Sequence, residues 1–376
     1  MKDVIYFDNA ATTFPKPASV ISETSRCMRE YCGNPGRGSH PLALAASEKL
    51  YECREYAAKM FAAPSSDNVT FTMNTTYALN MAVKSFVPDG GHVLISDLEH
   101  NAVLRPLEEM RRRGKITFDV FPTKGDAALT VAGIKQRIRR NTKAVMCTLA
   151  SNVCSNKVPS KEIGELCKDR GLLFIADGAQ AAGHRRVNMT EEGIGVLCLP
   201  GHKGLYGPQG IGMMITSSDI GGKTLIEGGS GTDSKNPFMP EYLPDRYEAG
   251  TMNTPAAAGL LAGMRFVSDT GIDNVASFEH ELWNRLYSRL SGDRRFVIYG
   301  DHAPSSVMLV NKKGRDPSEL GRFLSDRGIC VRSGLHCAPL AHKTLGTGEG
   351  GGVRISFGVF NTVREVDILS DALYRA

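Results

Sequence analysis

Apolar positions along this chain follow two regimes. Up to about residue 255, short apolar runs alternate with amphipathic stretches, the pattern of buried parallel strands joined by helices. The runs at 69–73, 92–96, 144–149, 172–176 and 210–215 are expected as strands, with a short strand at 4–7. Helices are expected at 18–31, behind Pro15 and Pro17, and at 77–86. Another is expected at 41–61 from the spacing of Leu44, Leu50, Tyr51, Ala58 and Phe61. Beyond Thr254-Pro255 the pattern becomes α+β, with helices at 256–268, 274–290 and 317–327 and strands at 296–299, 306–310 and 329–331. The expectation is an α/β protein in which a large domain over 15–255 carries a mostly parallel sheet. Residues 1–14 and 256–376 form a smaller α+β domain. There are no internal repeats or low-complexity tracts.

Composition narrows the class. A chain of 376 residues can bury a large core in two domains. Its formal charge of +5 comes from scattered basic residues, so nothing calls for nucleic acid. No apolar stretch approaches the ~18 residues of a membrane span, and the opening MKDVIYFDNAATT lacks the regions of a signal peptide. A soluble, cytoplasmic protein is expected. Nine cysteines without any C-x-x-C spacing imply reduced thiols, with no disulfide framework and no metal site. Glycines cluster at 33–38, 201–212, 221–231 and 346–352, where loops approach a ligand closely or move.

The candidate chemistry starts at Asp177, which follows an apolar run at the edge where open α/β sheets bind ligands. Lys203 stands downstream in Gly201-His202-Lys203-Gly204. A lysine amine condenses with an aldehyde, and a carboxylate keeps a pyridine nitrogen protonated; together they suit pyridoxal 5'-phosphate. The bland readings are a helix-capping acid and a solvated lysine. Thr75 and Thr76 open a helix, where backbone N–H groups and hydroxyls receive a phosphate, or simply cap it. Arg37 and His40 lie in a glycine-rich loop that either faces substrate or is an ordinary surface loop.

The strings SDLEHNAVLRP, SNVCSNKVP, FIADGAQAAG, GHKGLYGPQGIG, YEAGTMNTPA and VRSGLHCAPLAHKTLGT occur in that order. They resemble the class V aminotransferase-fold enzymes of the cysteine desulfurase type, pyridoxal-phosphate-dependent transferases of fold type I. The likeness runs over residues 6–362 and is nearest to the group of SUF-type desulfurases and selenocysteine lyases.

The resemblance implies a homodimer with shared sites, and roles for particular residues. Asn9 and Ala10 form the active-site wall. His100 lies on the cofactor ring and assists proton transfer, Asn152 and Gln180 reach the phenolic oxygen, and Thr251 serves the phosphate bound by the partner subunit. Cys337 is the sulfur-accepting nucleophile, with His336 and Arg332 beside it to lower its pKa. Arg354 binds the substrate carboxylate. The substrate is L-cysteine or, in the selenocysteine lyase alternative, L-selenocysteine, and sulfur passes to an acceptor protein. Glycines at 334 and 346–352 are expected to let the Cys337 loop swing. Pro200 replaces a hydroxyl residue of the SUF-type pattern, so His202 and the threonines must compensate. Gly204 is an extra residue and Cys154 has no assigned role. A non-catalytic regulatory protein and an aminotransferase are the remaining alternatives; transamination needs no thiol.

Overall fold

The computed structural model describes residues 4–376 except 37, 124 and 157. In chain order the elements begin with β1 (Ile5–Tyr6), α1 (Ala18–Glu30), α2 (Pro41–Phe61), β2 (Val69–Thr72), α3 (Thr75–Phe86), β3 (Gly91–Ser96) and α4 (Asn101–Arg112). Next come β4 (Ile116–Phe121), α5 (Ala127–Lys135), β5 (Thr142–Thr148), α6 (Ser160–Arg170), β6 (Leu173–Asp177), β7 (Val196–Pro200) and β8 (Gly212–Thr216). The chain continues through α7 (Thr254–Thr270), α8 (Ile272–Leu290), β9 (Phe296–Tyr299), β10 (Val307–Lys312) and α9 (Pro317–Ser325). It ends with β11 (Ile329–Cys330), β12 (Arg332–Gly334), α10 (Pro339–Leu345), β13 (Gly352–Ser356) and α11 (Val363–Arg375).

The first half builds a seven-stranded sheet in the order β2-β8-β7-β6-β5-β3-β4. All its neighbours are parallel except β8, which runs against both β2 and β7. Successive residues of a strand point to opposite faces. On β5, Val145 and Cys147 therefore enter the core shared with α2, α6 and α7, while Ala144 and Met146 enter the core under α3 and α4. Helices cover both faces, which is why these strands read as continuous apolar runs rather than alternating ones.

The second half forms an antiparallel sheet, β12-β13-β10-β9, over a separate core that holds the only tryptophan. The Trp283 indole donates to Val307 O at 3.1 Å. The chain's start joins this half: β1 pairs with β11, and Asp8 bridges to Ser356.

Two expectations change. The boundary expected at residue 255 falls inside α7, whose Ala257, Leu260 and Met264 belong to the first core; packing switches only after α7. Leu44 and Tyr51 are exposed, because the buried stripe of α2 runs through Leu50, Cys53, Ala57 and Phe61. Among the described residues no helix is long and apolar enough to cross a membrane.

Candidate active site

Five segments converge at one edge of the large sheet, each just past the C-terminal end of a strand. They are Asn74 to Thr76 after β2, His100 after β3, Asn152 after β5, Asp177 to Gln180 at β6 and His202-Lys203 after β7. Together they line a cavity of about 90 Å³. Parallel strands put all their C-terminal ends on one side, so residues far apart in sequence meet there.

The cavity holds opposed charges in little water. Burial pushes the Lys203 amine down to about 8, against the pull of Asp177. Burial raises Asp177, opposed by the hydrogen bond from Ala179 N, 2.9 Å, and by Lys203. His100 accepts at Nδ1 from Ala102 N, 3.0 Å, so its proton sits on Nε2. Burial, with Lys203, Arg332 and Arg354 adding to it, holds His100 down at about 4 and therefore neutral at physiological pH.

Several polar atoms here are buried without a hydrogen-bond partner among the described residues: Thr75 Oγ1, Gln180 Oε1 and His202 Nδ1. Native interiors leave few such atoms, so a cluster on one cavity marks the place of a polar ligand. The helix cap of α3 is taken by Asn74, whose side chain accepts from Tyr77 N at 2.9 Å. Thr75 and Thr76 thus have no capping duty, and the plain N-cap reading does not describe them. Hydroxyls at a helix N-terminus, a carboxylate at a strand end and an amine of depressed pKa fit pyridoxal 5'-phosphate. Pro200 offers no hydroxyl, while the unpartnered His202 Nδ1 belongs to a residue that lines the same cavity.

The Lys203 loop is braced from the chain's start. The His202 carbonyl accepts from Lys16 Nζ (2.8 Å), Thr12 Oγ1 (3.1 Å) and the Thr13 N–H and hydroxyl (3.2 Å each). Lys16, pushed down to about 8 by burial, had no feature that singled it out in the sequence. Gly204 is explained by packing: a Cβ there would lie 2.3 Å from Ala182 O and 2.7 Å from the His184 ring. Behind that ring is Glu279 of α8, 2.8 Å away. Burial opposes charge on His184, but Glu279 outweighs it and holds the imidazole above its ordinary value.

Arg354, on β13, is 2% exposed. It donates from Nη1 to Asn152 O at 3.0 Å and from Nη2 to Asp8 at 2.7 Å, while Nε has no partner among the described residues. Arg332 lies directly across from it on β12 and is exposed. Two arginines in facing positions repel unless an anion lies between or beside them.

Cys337 is exposed in the short turn between β12 and α10. The turn is docked rather than loose. Asn152 Nδ2 donates to His336 O at 2.8 Å, and Asn101 N to Cys337 O at 2.7 Å. This corrects the expectation of a swinging loop, since only four residues separate β12 from α10 and both central carbonyls are held.

The other residues expected at the site have varied surroundings. His336 does not face substrate: it is 4% exposed, its Nε2 meets Arg332 O and its Nδ1 meets His342, each at 3.0 Å. Burial holds its pKa at about 3, so it brings no positive charge to Cys337. The Asn9 amide is spent on Ser356 O, Asn361 Oδ1 and Phe14 N, joining the chain's two ends instead of lining the cavity. The Ala10 carbonyl accepts from Gln180 Nε2 at 2.8 Å, so Ala10 orients Gln180. Asn152 commits its amide N–H to the Cys337 turn. Thr251 is exposed and lines a separate pocket of about 280 Å³ with Met73 and Tyr77. His40 caps α2, accepting from Ala43 N at 3.3 Å, and Arg37 lies outside the described residues. Cys154 is 2% exposed in a small core with Leu98, Ala338 and Ala341, beneath the Cys337 turn. Among the described residues there is no cluster of three or more His, Cys, Asp or Glu that could hold a metal.

Known proteins resemble this chain over nearly its whole length. A probable cysteine desulfurase of Methanothermobacter thermautotrophicus is 34% identical over 99% of this chain and 94% of its own length. One from Halalkalibacterium halodurans is 30% identical over 98% of this chain and 92% of its own length. The apo structure of a cysteine desulfurase from Thermococcus onnurineus superposes with a TM-score of 0.91 at 29% identity, covering 99% of this chain and 94% of that one. The aminotransferase class-V family matches residues 5–369, and this chain belongs to that family.

Proposed function

We propose that this protein is a pyridoxal-phosphate-dependent cysteine desulfurase, which converts L-cysteine to L-alanine and receives the sulfur on Cys337. The observation that carries the reading is the docking of the Cys337 turn, through Asn152 and Asn101, against the cavity of Lys203, Asp177 and His100. An aminotransferase needs no thiol at that place. The relatives carry the desulfurase name, so selenocysteine lyase is not the favoured reading.

Bound cofactor supplies an electron sink for carbanion chemistry at the substrate. Thr75, Thr76 and His202 would hold its phosphate, Asp177 would pair with the ring nitrogen, Gln180 would serve the phenolic oxygen, and His100 would lie against the ring. Lys203 would anchor the cofactor and serve as the base for the substrate Cα proton; an amine of pKa about 8 is well matched to that task at neutral pH. Arg354 holds the substrate carboxylate, with Arg332 adding to the positive field. The Cys337 thiolate then attacks the substrate sulfur. An S–S bond forms as the C–S bond breaks, and the carbon framework keeps the electron pair and takes up protons to become alanine. An acceptor protein removes the sulfur from the exposed turn.

The quaternary reading belongs to the same proposal. Thr251 and Met73, both exposed, suit a homodimer in which Thr251 reaches the partner's phosphate. The same proposal divides the chain into a cofactor-binding unit, with α7 in it, and a unit carrying the cysteine turn.

Two measurements test the function. Borohydride reduction followed by peptide mapping should place the cofactor adduct on Lys203, and Lys203→Ala should lose it. After brief exposure to L-cysteine, mass spectrometry should find one extra sulfur on Cys337, and Cys337→Ala should bind cofactor yet release no alanine from L-cysteine. An adduct on another lysine, or full turnover by Cys337→Ala, sinks the reading.

A further inference from the structure

His336 and Cys337 have φ of 50° and 56°, two consecutive side chains in the left-handed region. Non-glycine residues stay there only where the surroundings over-determine the backbone. The carbonyls of both residues are held by Asn152 and Asn101, but those bonds do not fix the His336 side chain. A line of hydrogen-bonded groups does.

His336 Nε2 is 3.0 Å from Arg332 O. A carbonyl only accepts, so Nε2 carries the proton and Nδ1 is bare. Nδ1 is 3.0 Å from His342 Nε2, which must therefore donate. The other nitrogen of His342 then accepts from the Thr347 hydroxyl, 2.8 Å away. Burial keeps both rings neutral, His336 at about 3 and His342 at about 4. A single proton order satisfies the whole line, from the Thr347 O–H through His342 and His336 to the Arg332 carbonyl. The two rings lie end to end close to one plane, with centroids 5.2 Å apart and planes at 19°. His342 is 2% exposed and is not among the residues that line the cavity.

We propose that His342 is a positioning residue for sulfur transfer: its N–H to His336 holds the left-handed turn that presents Cys337. The inference rests on the reading of Cys337 as sulfur acceptor. It assigns a task to a histidine six positions from the thiol's neighbour, one that never meets substrate.

The test uses the cofactor-loaded enzyme with His342→Ala, His342→Gln, Thr347→Val and, as control, Cys337→Ser. In His342→Ala, kcat for alanine release from L-cysteine should fall about tenfold to a hundredfold, the scale of a misplaced reacting group. KM should stay within about twofold, because Arg354 is untouched. Cofactor absorbance should be unchanged, and iodoacetamide should still label Cys337 relative to the exposed Cys32. A glutamine can place an amide N–H near the position of Nε2, so His342→Gln should recover most of kcat. Thr347→Val, which frees the tautomer of His342, should show a smaller loss of about threefold. The proposal is overturned if His342→Ala keeps full kcat, if glutamine is no better than alanine, or if cofactor absorbance falls in step with kcat. Turnover by Cys337→Ser would instead remove the sulfur-acceptor reading beneath it, whereas a dead Cys337→Ser beside a fully active His342→Ala removes this inference alone.

Discussion

Arg354 Nη2 lies 2.7 Å from Asp8 Oδ1, so the guanidinium assigned to the substrate carboxylate already faces an acid of its own chain. An incoming carboxylate must share that guanidinium, with the unpartnered Nε–H as its open tooth. Asp8→Asn keeps an oxygen for Arg354 but removes the competing charge, and KM for L-cysteine should fall severalfold. Arg354→Ala should raise KM, by the loss of a charge-assisted bond worth about 1.5–3 kcal/mol, with the cofactor spectrum intact. A steady-state comparison decides it: an unchanged or higher KM in Asp8→Asn means that Asp8 only orients the arginine.

Glu99 makes stability depend on pH. It is fully buried behind His100, accepts from Thr148 N at 2.8 Å and from the Ser96 hydroxyl, and burial pushes its pKa up to about 8. The folded state thus holds a proton that the unfolded chain releases near pH 4.5. Stability from this group is full at low pH and is lost as pH rises from there through about 8. Glu99→Gln should melt at a higher temperature than the parent at pH 9 and at nearly the same temperature at pH 4. Equal differences at both values would mean that Glu99 is ionised in the fold.

Gly204→Ala should test the contact behind Lys203. The added Cβ would meet backbone at Ala182, which cannot give way as a flexible side chain can. Overpacking of this kind costs about 1–3 kcal/mol, to be read from denaturant midpoints. Cofactor retention should drop as well, because the residue adjoins Lys203. A variant with parental midpoint and absorbance would show that the loop moves freely.

Cys154→Ala should cost about 1 kcal/mol and leave sulfur transfer intact. Its thiol is buried, and burial pushes its pKa up to about 11, so little thiolate forms. Extra sulfur found on Cys154 after exposure to L-cysteine would contradict this assignment.

Much of the fold was legible because parallel strands buried on both faces leave unbroken apolar runs, as at 69–73, 144–149 and 172–176. The cavity was legible for the same reason: Asp177, Lys203, His100 and Thr75 each follow such a run. The second half was harder to read. β12, β13 and α10 are short, and Arg332 and Arg354 put charges where a strand pattern expects apolar residues. Asp8 carried the signal used for Asp177, an acid after a strand, but the strand before it has only two residues. Nothing local marks Lys16 or Glu279, since each acts through a hydrogen bond to a distant segment, and His342 meets His336 only once the turn between them has formed. His336 misled because adjacency to Cys337 suggested contact, while the left-handed turn sends the imidazole inward.

The brace on the His202 carbonyl also bears on when this protein becomes competent. Thr12, Thr13 and Lys16 are synthesised long before Ser356 and Asn361, yet the segment that carries them is held by those two residues. Until Ser356 and Asn361 have been synthesised, that segment lacks its anchor and the loop of Lys203 lacks a settled fastening. A nascent chain stalled before residue 356 should therefore carry the lysine without the means to hold it in place.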